Sequence, residues 1–143
     1  QGEVGSGKTI VAFASILATC SAGYQAVLMC PTEILAKQHF ESITEILKDF
    51  DCVKPILLTG SSKDKESIVN KIVNHEVTVI IGTHAVFQKD VDYDKLGLVV
   101  ADEEHRFGVK AKEKIKTIIK LLFFNFTISC KNIFFTYIII QFS

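Results

Sequence analysis

Residues Gly2 to Thr9 read GEVGSGKT and satisfy the pattern G-x-x-x-x-G-K-[S/T] at every fixed position. Each residue type there has a task. Glycine lets the backbone approach phosphate oxygens closely, and successive amide N–H groups from Gly2, Glu3, Val4, Gly5, Ser6 and Gly7 form an anion-binding concavity. The apolar, helically spaced stretch from Lys8 to Ser21 follows at once, so the positive end of a helix dipole meets the same anion. Lys8 supplies a flexible cation for the β- and γ-phosphates, and Thr9 offers a hydroxyl to Mg²⁺. A chance glycine-rich turn ahead of a helix would not need all the fixed positions. The expected ligand is ATP with Mg²⁺, and the expected class is an α/β P-loop NTPase.

Outward from this loop, helical and extended signals alternate. Gly23 is a stop signal for the first helix. QAVLMC, residues 25–30, is a short apolar run ended by Pro31, which reads as a buried strand. Glu33 to Leu47 carries Ile34, Leu35, Phe40, Ile43, Ile46 and Leu47 on one stripe, the pattern of an amphipathic helix. Strands are expected at 55–59 (closed by Gly60), 77–81 (closed by Gly82) and 96–101. Helices are expected at 64–73, entered through 61–63, and at 110–120. Strands alternating with helices imply crossover units and a three-layer lobe with a mostly parallel sheet.

Composition excludes several classes. The 143 residues suffice for one compact domain, and 48% are hydrophobic. Sixteen basic and sixteen acidic side chains give a formal net charge of zero, which argues against a polybasic, non-specific nucleic-acid binder. The four cysteines include no C-x-x-C pair, and the four histidines lack metal-ligand spacing. Reduced thiols in a cytoplasmic protein fit better than disulfides or a zinc knuckle.

The character changes near residue 120. Residues 121–143 hold six of the eleven phenylalanines, five isoleucines, a single charge at Lys131 and no acid. Asn125, Lys131 and Asn132 interrupt the roughly 20 apolar residues that a membrane helix wants. A buried strand or two is the better reading, and no membrane association is expected. Phe, Ile, Asn and Lys are also what AT-rich DNA encodes out of frame, so a divergent tail is a further reading. The division is therefore an ATP-binding lobe at 1–120 and an apolar tail at 121–143.

Asp102 and Glu103 follow the apolar strand LGLVVA directly. Ligands of open parallel sheets bind beyond the carboxyl ends of strands. Asp102 would hold the Mg²⁺ shell, and Glu103 would polarise the attacking water as the catalytic partner of Lys8. Alone, DEEH reads better as a solvated turn. Downstream of a full phosphate loop and straight after a buried strand, the metal and base roles are the better reading.

The D-E-x-H form resembles helicase superfamily two. QGEVGSGKTIVA, PTEILAKQHF, LLTGS, IGTHAVFQ and DEEHRFGV stand in the order seen in the RecG family, over residues 1 to about 116. The Mfd-type translocases have a similar lobe. The second acid of DEEH and the KEKIK after RFGV resemble that family, whereas PTEILA, THAVFQ and GSGKT resemble RecG. The resemblance implies a RecA-like lobe that couples ATP hydrolysis to the remodelling of branched DNA in repair and recombination. It implies that the motif Pro31, Thr32 and Glu33, through backbone and hydroxyl, and then Gly82, Thr83 and His84, contact a DNA strand through phosphates, which position DNA without reading its sequence. Thr32 as a helix N-cap, and Pro31 and Gly82 as strand terminators, are the structural alternatives. Arg106 and Phe107 match a loop that relays ATP state to DNA, with Phe107 as plain core the alternative, and His105 reads either as a satisfied turn histidine or as a group coupling the ATP site to the neighbouring lobe. Where the family next has a motif similar to SATPIPR, this chain has LLFFNFTISCKN.

The resemblance also implies partners. Such motors hydrolyse ATP between two RecA-like lobes, the second supplying arginine fingers, and RecG adds an amino-terminal wedge domain for branched DNA. Neither the second lobe nor the wedge is found in these 143 residues, so the chain is expected to be a fragment with little activity alone. A truncated inactive remnant, or a different P-loop ATPase or kinase, are the other readings. The strings after residue 30 speak against the last of these.

Overall fold

The computed structural model describes the backbone over residues 6–102 and 136–140, and side chains over residues 9–102. The element order is α1 (Ser6–Ser21), β1 (Gln25–Met29), α2 (Glu33–Ile46), β2 (Pro55–Leu58), α3 (Lys65–Val73), β3 (Val79–Gly82), a 3-10 turn at His84–Phe87, β4 (Leu96–Asp102) and β5 (Thr136–Ile140). The strands form one sheet in the order β2-β3-β1-β4-β5, and every pairing is parallel. The expected α/β lobe with a parallel sheet is what the chain adopts.

Residues alternate between the two faces of the sheet, and this sorts the core into two halves. Ala26, Leu28 and Cys30, with Val79, Ile81, Leu98 and Val100, pack against Ala12, Phe13, Ile16 and Cys20 of α1 and Ala36 and Ile43 of α2. Val27, Met29, Ile80, Val99 and Ala101 pack on the opposite side against Ile72 of α3 and Ala85 and Val86 of the 3-10 turn. Helices therefore cover both faces, as an all-parallel sheet requires. Fully buried side chains such as Ile16 and Ile43 contribute roughly 1.5–3 kcal/mol each.

Local chemistry sets the helix ends. Gly23 takes φ +87, Tyr24 N–H donates to Thr19 C=O at 3.1 Å and Gly23 N–H to Cys20 C=O at 3.0 Å, which closes α1 in a Schellman motif. The same pair of bonds ends α3, from Glu76 to Lys71 and from His75 to Ile72, with His75 at φ 58 in the place usually taken by glycine. Asp64 caps α3 by accepting from Ser67 N–H, so the helix proper starts one residue later than the expected 64.

Two expectations are corrected. The apolar stripe of α2 is narrower than its sequence suggests: Ile34 and Ile46 are 70% and 60% exposed, while Ala36 is buried. Ala36 and Ile43 make the buried contact with the sheet, and Ile34 and Ile46 fall outside it. β3 is displaced by a residue or two toward its carboxyl end, to Val79–Gly82, and Thr78 just before it bonds Cys52 C=O and Lys54 N–H through Oγ1. The 3-10 turn after β3 had no sequence signal. In the apolar tail, Thr136–Ile140 is a strand beside β4, with Asp102 in register with Ile140. The helix expected at 110–120 lies outside the described residues. Among the described residues, no helix is long and apolar enough to cross a membrane.

Candidate functional site

In an open parallel sheet, ligands bind where the connections leaving neighbouring strands run in opposite directions. The chain leaves β1 toward β2 on one side and leaves β4 toward β5 on the other. The crevice lies between β1 and β4, outside their carboxyl ends. α1 spans roughly 24 Å at 1.5 Å per residue. Because α1 ends in a tight turn into the amino end of β1, its first turn lies back at the carboxyl edge. That first turn holds Ser6, Gly7, Lys8 and the half-buried Thr9.

Asp102 is the last residue of β4 and is 1% exposed. By alternation it follows Leu98 and Val100 onto the face that α1 and α2 cover. Met29 pairs with Ala101, so Cys30 stands level with Asp102 on the neighbouring strand path. Its thiol is pushed far above the ordinary range, by burial first and by the charge of Asp102 second. His39, on α2, completes the group: its Nε2 lies 3.3 Å from Asp102 Oδ2. Asp102 Oδ1 is the one buried side-chain polar atom among the described residues that has no hydrogen-bond partner.

The remaining motifs rise from the same edge. Pro31 and Thr32 follow β1, and Thr32 Oγ1 caps α2 by accepting from Leu35 N–H at 3.3 Å. Gly82 ends β3 where the backbones crowd: a Cβ there would stand 1.8 Å from Leu58 C=O of β2. Thr83, buried, and His84, exposed, lead into the 3-10 turn. Glu33 at the start of α2 accepts from Ser61, from the amide at 3.1 Å and the hydroxyl at 2.7 Å. The Ser61 hydroxyl bond, with help from the amide, holds the Glu33 carboxyl below its ordinary value against a smaller opposing desolvation. The loop after β2 is thereby tied to the loop after β1, a link that no spacing in the sequence announced. Gly2, Glu3, Val4 and Gly5, and likewise Glu103, His105, Arg106 and Phe107, lie outside the described residues.

An open cleft beside α3, lined by Asp64, Glu66, Ser67, Asn70, Lys71 and Glu76, is on the other layer. Its walls are mostly exposed side chains and hold no unsatisfied buried group. The chemistry gathers at the β1–β4 crevice instead.

The profile of the DEAD/DEAH box helicase family matches residues 1–136. The chain belongs to that family. Among DEAD/DEAH box helicases it is 53% identical over 111 residues to the ATP-dependent DNA helicase RecG of Streptococcus pneumoniae, covering 76% of this chain and 16% of that protein. It is 47% identical over 115 residues to RecG of Aquifex aeolicus, covering 79% of this chain and 14% of the relative. A solved structure of RecG bound to a three-way DNA junction superposes with a TM-score of 0.70 at 33% identity, over 94% of this chain and 16% of that one. The helicase Lhr of Mycobacterium smegmatis, solved with single-stranded DNA and AMP-PNP, superposes at a TM-score of 0.54 with 13% identity over 64% of this chain and 13% of that one, a likeness of fold. This DEAD/DEAH box helicase chain thus spans about one sixth of the length of the RecG proteins it matches.

Proposed function

We propose that this chain is the ATP-binding lobe of a RecG-type DNA helicase, working in the cytoplasm on branched or single-stranded DNA. The observation that carries the reading is Asp102. A carboxylate 1% exposed, with one oxygen unpartnered among the described residues, is costly unless something else satisfies it. A hard divalent cation takes oxygen ligands, and Thr9 and Asp102 are the residues that would hold Mg²⁺ with the nucleotide phosphates. When bound, the ion neutralises charge on the β- and γ-phosphates.

The chain's own groups divide the work. The amides of Gly2 to Gly7 cradle phosphate oxygens, and Lys8 holds the β- and γ-phosphates. Glu103 orients the attacking water and takes up its proton. Charge growing on the transferred phosphoryl group calls for cations from a second, facing lobe. Pro31, Thr32, Gly82, Thr83 and His84 present amides and hydroxyls to a strand's phosphates, and His105, Arg106 and Phe107 pass the state of the nucleotide to that edge. The lobe spans residues 1–120 in this reading.

The test is titration calorimetry with Mg-ADP and a non-hydrolysable ATP analogue on wild type and Lys8→Ala. Wild type is expected to bind and Lys8→Ala to lose binding. Equal affinity in the two proteins would overturn the assignment.

A further inference from the structure

His39 is not one of the residues that the nucleotide reading above uses, yet it is the group that touches Asp102. It reaches there for structural reasons. Ala36 and Ile43 are the buried contacts of α2 with the sheet, and His39 lies between them along the same face. Helix side chains lean toward the helix amino terminus, which for α2 is the carboxyl edge of the sheet. The imidazole, 16% exposed, therefore turns back toward the end of β4 and meets Asp102 Oδ2 at 3.3 Å.

The consequence for Asp102 is conformational. The last torsion of an aspartate is broad and roughly two-fold, so packing alone does not fix which way a carboxylate faces. Cys30 offers a competing partner: Cys30, His39 and Asp102 each present an atom within 4.8 Å of the others. A thiol is a weak donor and an imidazole N–H a strong one. With His39 in place, Oδ2 is held by α2 and Oδ1 has no hydrogen-bond partner among the described residues. Without His39, the carboxylate is free to rotate toward the Cys30 S–H.

We propose that His39 is a positioning residue for Asp102: it holds one carboxylate oxygen so that the other stays available to the divalent cation that accompanies nucleotide. The proposal rests on the nucleotide reading above. The helix that carries His39 begins at Thr32 and is clamped to the Ser61 loop through Glu33, so the same rigid element reaches both the proposed strand-contacting edge and the metal carboxylate.

The experiment follows binding of a fluorescent ADP analogue to the 143-residue chain as Mg²⁺ is raised, for wild type, His39→Ala, His39→Gln and Cys30→Ala. Groups that orient a metal ligand are worth about 10- to 100-fold in metal affinity. His39→Ala is expected to raise the Mg²⁺ needed for half-saturation about tenfold, with nucleotide affinity in EDTA unchanged. His39→Gln, which keeps an N–H donor at similar reach, is expected to restore most of the loss, and Cys30→Ala to stay near wild type. Alanine is the better helix former, so His39→Ala should melt near wild type. An unchanged Mg²⁺ dependence in His39→Ala overturns the proposal while leaving the nucleotide reading intact. No Mg²⁺-dependent binding by wild type overturns both. Equimolar Zn²⁺ binding by nucleotide-free wild type, lost in Cys30→Ala, would make His39 a ligand rather than a positioning group and overturns it as well.

Discussion

Gln25 is 0% exposed at the amino end of β1, and its amide is saturated. Nε2 donates to Ile72 C=O at 2.9 Å and Val77 C=O at 3.0 Å, and Oε1 accepts from Asp94 N–H at 2.9 Å and Lys95 N–H at 3.2 Å. One side chain thus ties β1 to the end of α3 and to the entry of β4. Gln25→Met keeps the length and flexibility of the side chain and removes all four bonds. Ile72 C=O keeps a partner in His75 N–H, so the carbonyl of Val77 and the amides of Asp94 and Lys95 lose most. At roughly 1 kcal/mol for each of three lost bonds, the expected destabilisation is about 3 kcal/mol. That is a large part of the roughly 5–15 kcal/mol that holds a domain folded. Urea unfolding followed by circular dichroism measures it: the midpoint should fall with an unchanged slope. Gln25 lies at the end of the sheet opposite the crevice, so nucleotide affinity in the absence of urea should not move. A loss below about 1 kcal/mol would refute the reasoning, because it would mean that the freed groups find other partners at little cost.

Three further outcomes are expected. Gly82→Ala must drive β3 away from the Leu58 carbonyl of β2, and backbone does not yield as a side chain does; a loss of roughly 2–3 kcal/mol in urea unfolding is expected. Gly97→Ala should cost less, since its nearest neighbours are side-chain atoms of Tyr24 and Thr19. Burial raises the Cys20 thiol from its ordinary 9.0 to about 11, so the folded state holds this proton more tightly than the unfolded chain. The stabilisation is complete below the unfolded value and is lost as pH rises from 9.0 to about 11. Comparing melting temperatures of wild type and Cys20→Ala across that range checks it, and parallel curves would count against it.

The parts that were legible in the sequence were those written in local pattern. QAVLM and LGLVVA are apolar runs with turn chemistry at their ends, and both became central parallel strands. Motif residues at the ends of such runs had to emerge on one edge, as Pro31, Gly82 and Asp102 do. What escaped depends on contacts distant in sequence. His39 and Asp102 are 63 residues apart, and histidine spacing along the chain carries no trace of a meeting made by helix packing. Gln25 read as an ordinary strand start, because its four partners come from α3 and the approach to β4. Gly82 read as a terminator, whereas its backbone is pressed against β2. The stripe of α2 was overestimated because periodicity counts apolar residues and does not reveal which of them the sheet covers.

The pairing of β1 with β4 slips by one residue: Gln25 is opposite Leu96, but Ala26 is opposite Leu98, leaving Gly97 as an extra residue on β4. Gly97 and Leu98 both lie toward the α1 side, the glycine beneath Tyr24 and Thr19 and the leucine in the core below α1. Beyond that point strict alternation resumes and carries Val100 and Asp102 to the same side. Gly97 is thus the parity bit of the strand. Ironing the bulge out with Gly97 kept, so that alternation ran unbroken from Leu96, would leave β4 as long and as apolar as before, yet put every later side chain on the opposite surface. Asp102 would then point into the layer of α3, away from the phosphate loop and from His39, so the chemistry at the end of this strand is addressed by one residue of phase set five positions upstream.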